Sequence, residues 1–117
     1  MITKLLIDRA RWVNGCTRKY LGLSLLLNKE GNMCCLGFLG KACGLTDKQL
    51  VGNGGPSCVP LLNWPKEILF RNIEDEIIRI NDRLGVSHEK REILLIDSFK
   101  KYLDIDVEFI GSYEKET

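Results

Sequence analysis

The sequence predicts an α+β fold, a small antiparallel sheet packed against four or so helices in a single domain, and three observations carry that expectation. The continuous apolar run Leu23–Leu27 is followed by the polar tetrapeptide Asn28-Lys29-Glu30-Gly31 and a second short run, Asn32–Cys34, which together form a hairpin signal. Two later segments carry apolar residues at helical spacing and are separated by Gly85-Val86, as in an αα-hairpin. Near the end, Ile105, Val107 and Phe109 alternate with Asp104, Asp106 and Glu108, the period of a half-buried strand. A chain of 117 residues, 44% hydrophobic and 28% charged, suits one globular domain over 1–110, with 111–117 expected as a disordered tail.

Taken in order, Thr3 is placed to cap a helix over about residues 4–13, with Leu6, Ala10 and Val13 on one stripe and a stop at Asn14-Gly15. Cys16–Tyr20 reads as a loop leading into the hairpin. The stretch Gly31–Leu45 then reads as a strand end running into a short buried helix, with Leu36, Leu39 and Cys43 on one stripe and Phe38, Ala42 and Leu45 on the next. Gly37, Gly40 and Gly44 form a third, bare stripe. Each interior glycine costs a helix about 1 kcal/mol relative to alanine, so close approach of another backbone or of a ligand is expected there.

Thr46-Asp47-Lys48-Gln49 matches a capping box. Gly52-Asn53-Gly54-Gly55-Pro56-Ser57 fits no regular element and is expected as an exposed loop; it lacks the lysine and the spacing of a P-loop. Cys58–Leu62 reads as a short edge strand because Pro60 bars a central position. Asn72 is placed to cap a helix with Ile73, Ile77, Ile80 and Leu84 on its stripe, and Ser87 starts another whose apolar face is Leu95, Ile96, Phe99, Tyr102 and Leu103.

A formal net charge of +1 argues against general nucleic-acid binding, which calls for a positive excess to displace counterions from phosphate. No apolar run approaches the roughly 20 residues needed to span a bilayer, and charges at Asp8, Arg9 and Arg11 replace a signal-peptide core, so a cytoplasmic protein is expected. Five cysteines, two of them adjacent, make a poor disulfide framework. Charge is unevenly spread: Lys4, Arg9, Arg11, Arg18 and Lys19 near the start face Asp104, Asp106, Glu108, Glu114 and Glu116 near the end. If the ends meet, this is internal complementarity; if not, each end steers a partner of opposite charge.

The sharpest catalytic candidate is Cys34 or Cys35, because a helix N-terminus lowers a thiol pKa. A thiol nucleophile also needs a base, and His88, beside Glu89 in a helical first turn, is the single histidine. The favoured reading is therefore small buried cysteines, with no catalytic residue, and the alternative is a cysteine-dependent hydrolase or transferase. The cysteines lack Cys-x-x-Cys spacing, which leaves Cys16, Cys34, Cys43 and Cys58 as the remaining combination for zinc, and no metal or cofactor is expected. For partner binding the candidates are Arg9, Arg11 and Trp12, since Arg and Trp carry much of the energy of desolvated contacts; the alternative for Trp12 is that it closes one edge of the core, where large aromatics mostly lie. Gly37, Gly40 and the loop residue Asn53 complete the set.

Arg11-Trp12-x-x-Gly15, Leu26-Leu27-Asn28-x-x-Gly31, Met33-Cys34-Cys35-Leu36-Gly37-Phe38 and Ala42-Cys43-Gly44-Leu45 together resemble a group of small, uncharacterised proteins of tailed bacteriophages. The likeness continues at Arg79-Ile80-Asn81-Asp82 and Val107-Glu108-Phe109-Ile110 and so covers most of the chain. It implies the cytoplasm of an infected bacterium. The corresponding expectation is a binding protein that inhibits a host factor by stoichiometric occlusion, as a CRISPR nuclease inhibitor acting on a host protein or as a scavenger of a nucleotide immune signal.

Overall fold

The alternation at the C-terminal end needs a partner strand, because a lone strand leaves its backbone groups unpaired. In the computed structural model, which describes residues 2–16, 25–59 and 64–113, that partner is Lys4–Asp8 (β1), lying beside Asp106–Ile110 (β2). The two strands run parallel, with Lys4 opposite Asp106 and Asp8 opposite Ile110. This corrects the expected antiparallel sheet. Parallel neighbours cannot be joined by a tight turn and require a crossover, which here is most of the chain.

The correction begins at residues 4–13, expected as a helix. Leu5-Leu6-Ile7 is a continuous apolar triplet that fits a helical stripe and a strand equally well, and pairing with β2 decides between them. Leu5 and Ile7 point into the core, whereas Leu6, which the helical stripe would bury, is 47% exposed. A 3-10 turn, Arg9–Arg11, follows, with the Asp8 carboxylate accepting the Ala10 N–H at 3.0 Å.

The turn of the expected hairpin forms, with the Asn28 side chain accepting from the Glu30 and Asn32 amides and Gly31 at φ +85°. Its arms touch, the Asn28 N–H reaching the Asn32 carbonyl at 2.9 Å and the Cys34 N–H the Leu25 carbonyl at 3.1 Å, but their β-bridges go elsewhere. Leu27 pairs with Val51 and Met33 with Trp12, both in parallel, so no antiparallel strand pair occurs among the described residues. Leu23 and Ser24 of the first arm lie outside the described residues.

The central helix Cys35–Ala42 (α1) ends as its glycine suggests: Gly44 sits at φ +94°, its N–H reaches the Lys41 carbonyl, and the Leu45 N–H reaches that of Gly40, a Schellman stop. Thr46 and Gln49 form the expected capping box on the short helix Asp47–Leu50 (α2). Pro56–Cys58 is a 3-10 turn, so Cys58 does not open an edge strand, and residues 60–63 of that segment lie outside the described residues. Another 3-10 turn, Lys66–Leu69, precedes the helices Arg71–Asp82 (α3) and His88–Leu103 (α4). Ser87 caps α4 through the Lys90 N–H.

α1 packs against β1 and α4 against β2, while α3 touches both helices. The core lies between them, built from Leu5, Ile7, Leu36, Leu39, Ile77, Leu95, Phe99, Val107 and Phe109. The other face of the sheet presents Lys4, Leu6, Asp106, Glu108 and Ile110 outward. Gly111–Tyr113, expected as the start of a tail, fold back so that Tyr113 lies against Trp12 and His88; 114–117 lie outside the described residues. Among the described residues no helix is long and apolar enough to cross a membrane.

Candidate functional site

Cys34 is the N-cap of α1 and Cys35 its first residue, so both sit at the helix N-terminus as the sequence suggests. Burial overrides that position. Cys34 is 4% exposed and its thiol is pushed up to about 11 by loss of solvation, and Cys35 is fully buried with its thiol raised well above the ordinary range for the same reason. A nucleophilic thiol needs the opposite shift together with access. His88 is engaged elsewhere, stacked on the Tyr113 ring with centroids 3.7 Å apart. Among the described residues no group of three or more His, Cys, Asp or Glu side chains is arranged to hold a metal ion.

The N-terminus of α1 lacks a side-chain cap of its own, and the missing acceptor comes from another helix. Asn81, buried near the end of α3, accepts from the Cys35 N–H at 3.1 Å and from the Trp12 indole at 2.8 Å through one oxygen. Its amide donates to the Val13 carbonyl at 3.0 Å and to Asp82 at 2.9 Å. The Asn81 carbonyl in turn accepts from the Gly15 N–H and from the guanidinium of Arg91. Arg91 is fully buried, and it also donates to the Ile80 and Arg83 carbonyls at 2.5 Å each. A guanidinium on the last carbonyls of α3 meets the negative end of that helix, which compensates the buried charge.

Of the residues expected at a partner surface, Trp12 takes its alternative place in the core: it is buried, hydrogen-bonded to Asn81, and tilted against Phe109 with centroids 4.9 Å apart. Arg9 is half-buried and makes a two-point contact with Glu92 at 2.8 and 2.9 Å, donates to the Gly111 carbonyl at 3.0 Å, and lies over the Phe109 and Tyr113 rings. Arg11 is the exposed member of the trio and rests on the Gly31 carbonyl at 3.0 Å. Thus the basic start and acidic end do meet at Lys4, 3.8 Å from Glu108, whereas Arg9 pairs with Glu92 of α4, outside the acidic end. Arg18, Lys19, Glu114 and Glu116 lie outside the described residues.

The bare stripe of α1 serves packing. A Cβ at Gly37 would lie 1.8 Å from the Leu26 carbonyl oxygen, and one at Gly40 would meet Leu50 and Trp64 side chains at 2.8 and 2.9 Å. Both positions are therefore filled from within the chain instead of lining a ligand pocket. Asn53 is also committed: its side chain donates to the Gln49 carbonyl at 2.8 Å, and its own carbonyl accepts from the Leu26 N–H at 2.8 Å. That bond ties part of the expected exposed loop to the segment packed on Gly37, and Gly55 and Pro56 are buried.

No family model, curated protein or solved structure matches the chain.

Sequence reasoning missed Asn81, Arg91, Glu92 and Tyr113, although two of these carried a signal. Asn81 stands four residues after Ile77 and Arg91 four before Leu95, which are core positions of their helices, and a polar side chain there must find partners inside. It also missed the exposed pair Leu69 and Phe70, at 45% and 56%. Buried Ile68 anchors their 3-10 turn, and the Phe70 carbonyl holds the first amides of α3, from Ile73 and Glu74, at 3.0 and 3.1 Å. The two side chains therefore project from a fixed frame.

The arginines should separate cleanly. Arg9→Ala is expected to lower unfolding free energy by about 1–2 kcal/mol, because it strips a half-buried carboxylate of a two-point partner, whereas Arg11→Ala should stay within about 0.5 kcal/mol. Urea titrations of the two variants check this. The Arg9 guanidinium holds the Glu92 carboxyl below the usual range, with Tyr113 adding to the effect. Because the folded pKa is lower than the unfolded one, the stabilisation is complete above the unfolded value and disappears as pH falls through the folded value. Glu92→Gln should therefore flatten the acid side of the stability profile.

Proposed function

We propose that this protein acts by stoichiometric binding to a host protein, as a phage-encoded inhibitor working in the cytoplasm of the infected bacterium against a defence component such as a CRISPR nuclease. The observation that carries the binding reading is the Leu69-Phe70 knob. Adjacent large apolar side chains exposed on a rigid turn offer apolar area at little ordering cost, and aromatic residues are enriched where proteins meet. Arg11, exposed on a different segment, remains a candidate contact; Arg9, Trp12, Gly37, Gly40 and Asn53 act by holding the scaffold. The phage assignment and the anti-defence role rest on the sequence resemblance alone.

Native mass spectrometry of the protein expressed with and without the host's defence systems tests this reading. A defence protein bound in simple stoichiometry to the wild type and lost in a folded Phe70→Asp variant supports it. A bound nucleotide would favour a signal scavenger instead, although the packing of Gly37 and Gly40 removes the pocket that reading relied on.

The thiol-enzyme alternative is opposed by the burial and raised pKa of Cys34 and Cys35. Under native conditions iodoacetamide should modify exposed Cys58 first and reach Cys34 and Cys35 only on unfolding, as peptide mass spectrometry would read. Rapid native alkylation of Cys35 would revive catalysis.

A further inference from the structure

We propose that a second copy of this chain pairs antiparallel along the outer edge of β1, extending the two-stranded sheet to four strands across a twofold axis at Leu6. In the parallel register Asp106 donates to the Thr3 carbonyl, which assigns the backbone groups of Leu5 and Ile7 to β2 and turns those of Lys4, Leu6 and Asp8 to the other side. Among the described residues the Lys4 and Leu6 backbone groups on that side have no partner. An edge of this kind is a template for strand addition.

What selects a second copy is the sequence of the edge, Lys4-Leu5-Leu6-Ile7-Asp8. Read antiparallel about Leu6, Lys4 stands opposite the other copy's Asp8 at both ends, and Leu6 meets its own counterpart on the exposed face. The outward-turned backbone groups are also those that an antiparallel hydrogen-bonded pair requires opposite one another, giving about four new bonds, since the Asp8 carbonyl is committed to the following turn. Lys4 is free to turn: its contact with Glu108 is long, at 3.8 Å, and both side chains are more than half exposed. The alternative edge, β2, does not suit self-pairing, because the same operation sets Glu108 against Glu108.

Charge complementation tests the pairing. Lys4→Asp sets acidic side chains against each other at both ends of the paired strands, and Asp8→Lys sets basic ones against each other. Each variant alone should self-associate about tenfold more weakly than wild type by sedimentation velocity. Mixed together, the two variants regain opposite charges at both ends and should form a heterodimer as readily as wild type forms its dimer. Circular dichroism verifies that both variants fold. In the wild type the Leu6 amide should exchange more slowly with deuterium as concentration rises. A wild type that stays monomeric at every concentration, a mixture that fails to associate, or a dimer in which the Leu6 amide gains no protection would each overturn the proposal.

Discussion

Asn81→Ala should cost about 4 kcal/mol of unfolding free energy, enough to remove much of the stability of a domain this size. The substitution leaves the Trp12 indole N–H, the Cys35 amide and the Val13 carbonyl without their partner in a region closed to water. Each such orphan costs about 1–3 kcal/mol, and a small cavity adds to the sum. The three groups belong to two segments far apart in the chain, the stretch after β1 and the start of α1, which Asn81 ties to the end of α3, so losing the amide loosens their docking together. Asn81→Asp discriminates the two halves of the network. It keeps an acceptor for Trp12 and Cys35 but turns an oxygen toward the Val13 carbonyl and Asp82, so its deficit should shrink as pH falls and the new carboxyl gains a proton. Urea unfolding followed by circular dichroism and tryptophan fluorescence across pH measures both. An alanine variant within about 1 kcal/mol of wild type would show that solvent reaches the site.

What was legible in the sequence was local. The capping box at Thr46 and Gln49, the Ser87 cap and the alternation from Ile105 to Phe109 each depend on neighbours a few residues away, and each appears where the pattern puts it. What was not legible was the partner of that last strand. Leu5-Leu6-Ile7 carries no period of its own, and its pairing with Val107 and Phe109 is decided by a contact across nearly the whole chain. The antiparallel expectation failed for the same reason. The polar turn at Asn28–Gly31 promises a hairpin only if its arms prefer each other, and here Leu27 and Met33 bridge Val51 and Trp12.

The site was lost through the phase of a stripe. The stripe Ile73, Ile77, Ile80 and Leu84 predicts one face, yet Ile80 is half-buried, Leu84 lies beyond the end of α3 and is exposed, and Asn81 is buried, so the core face passes through 73, 77 and 81. An apolar stripe takes no account of a polar residue in its path, although buried polar groups hold several segments at once when fully bonded. Trp12 with two neighbouring arginines looked like a contact surface for the corresponding reason: composition suggests binding energy, but it does not say whether the binding is to the rest of the same chain.

The glycine stripe of α1 offers the sharpest remaining test, because its three members are required for different reasons. Gly37→Ala should fail to fold or lose about 4 kcal/mol or more, since its Cβ would lie 1.8 Å from the Leu26 carbonyl oxygen and 2.8 Å from the Met33 Cβ. Neither obstacle is the far end of a flexible side chain. The Leu26 segment would have to withdraw, breaking its amide bond to the Asn53 carbonyl and the bond from Cys34 to Leu25. Gly40→Ala meets the terminal atoms of Leu50 and Trp64, which can rotate, so about 1–3 kcal/mol is expected. At Gly44 a Cβ meets nothing within 4 Å, and the left-handed φ of +94° alone opposes alanine, costing about 1 kcal/mol. Thermal melts and urea titrations of the three alanine variants should therefore rank Gly37 as most damaging, then Gly40, then Gly44. If the Gly37 variant melts with the wild type, the contact between α1 and the Leu26 carbonyl is not the close one described, and packing no longer accounts for the stripe.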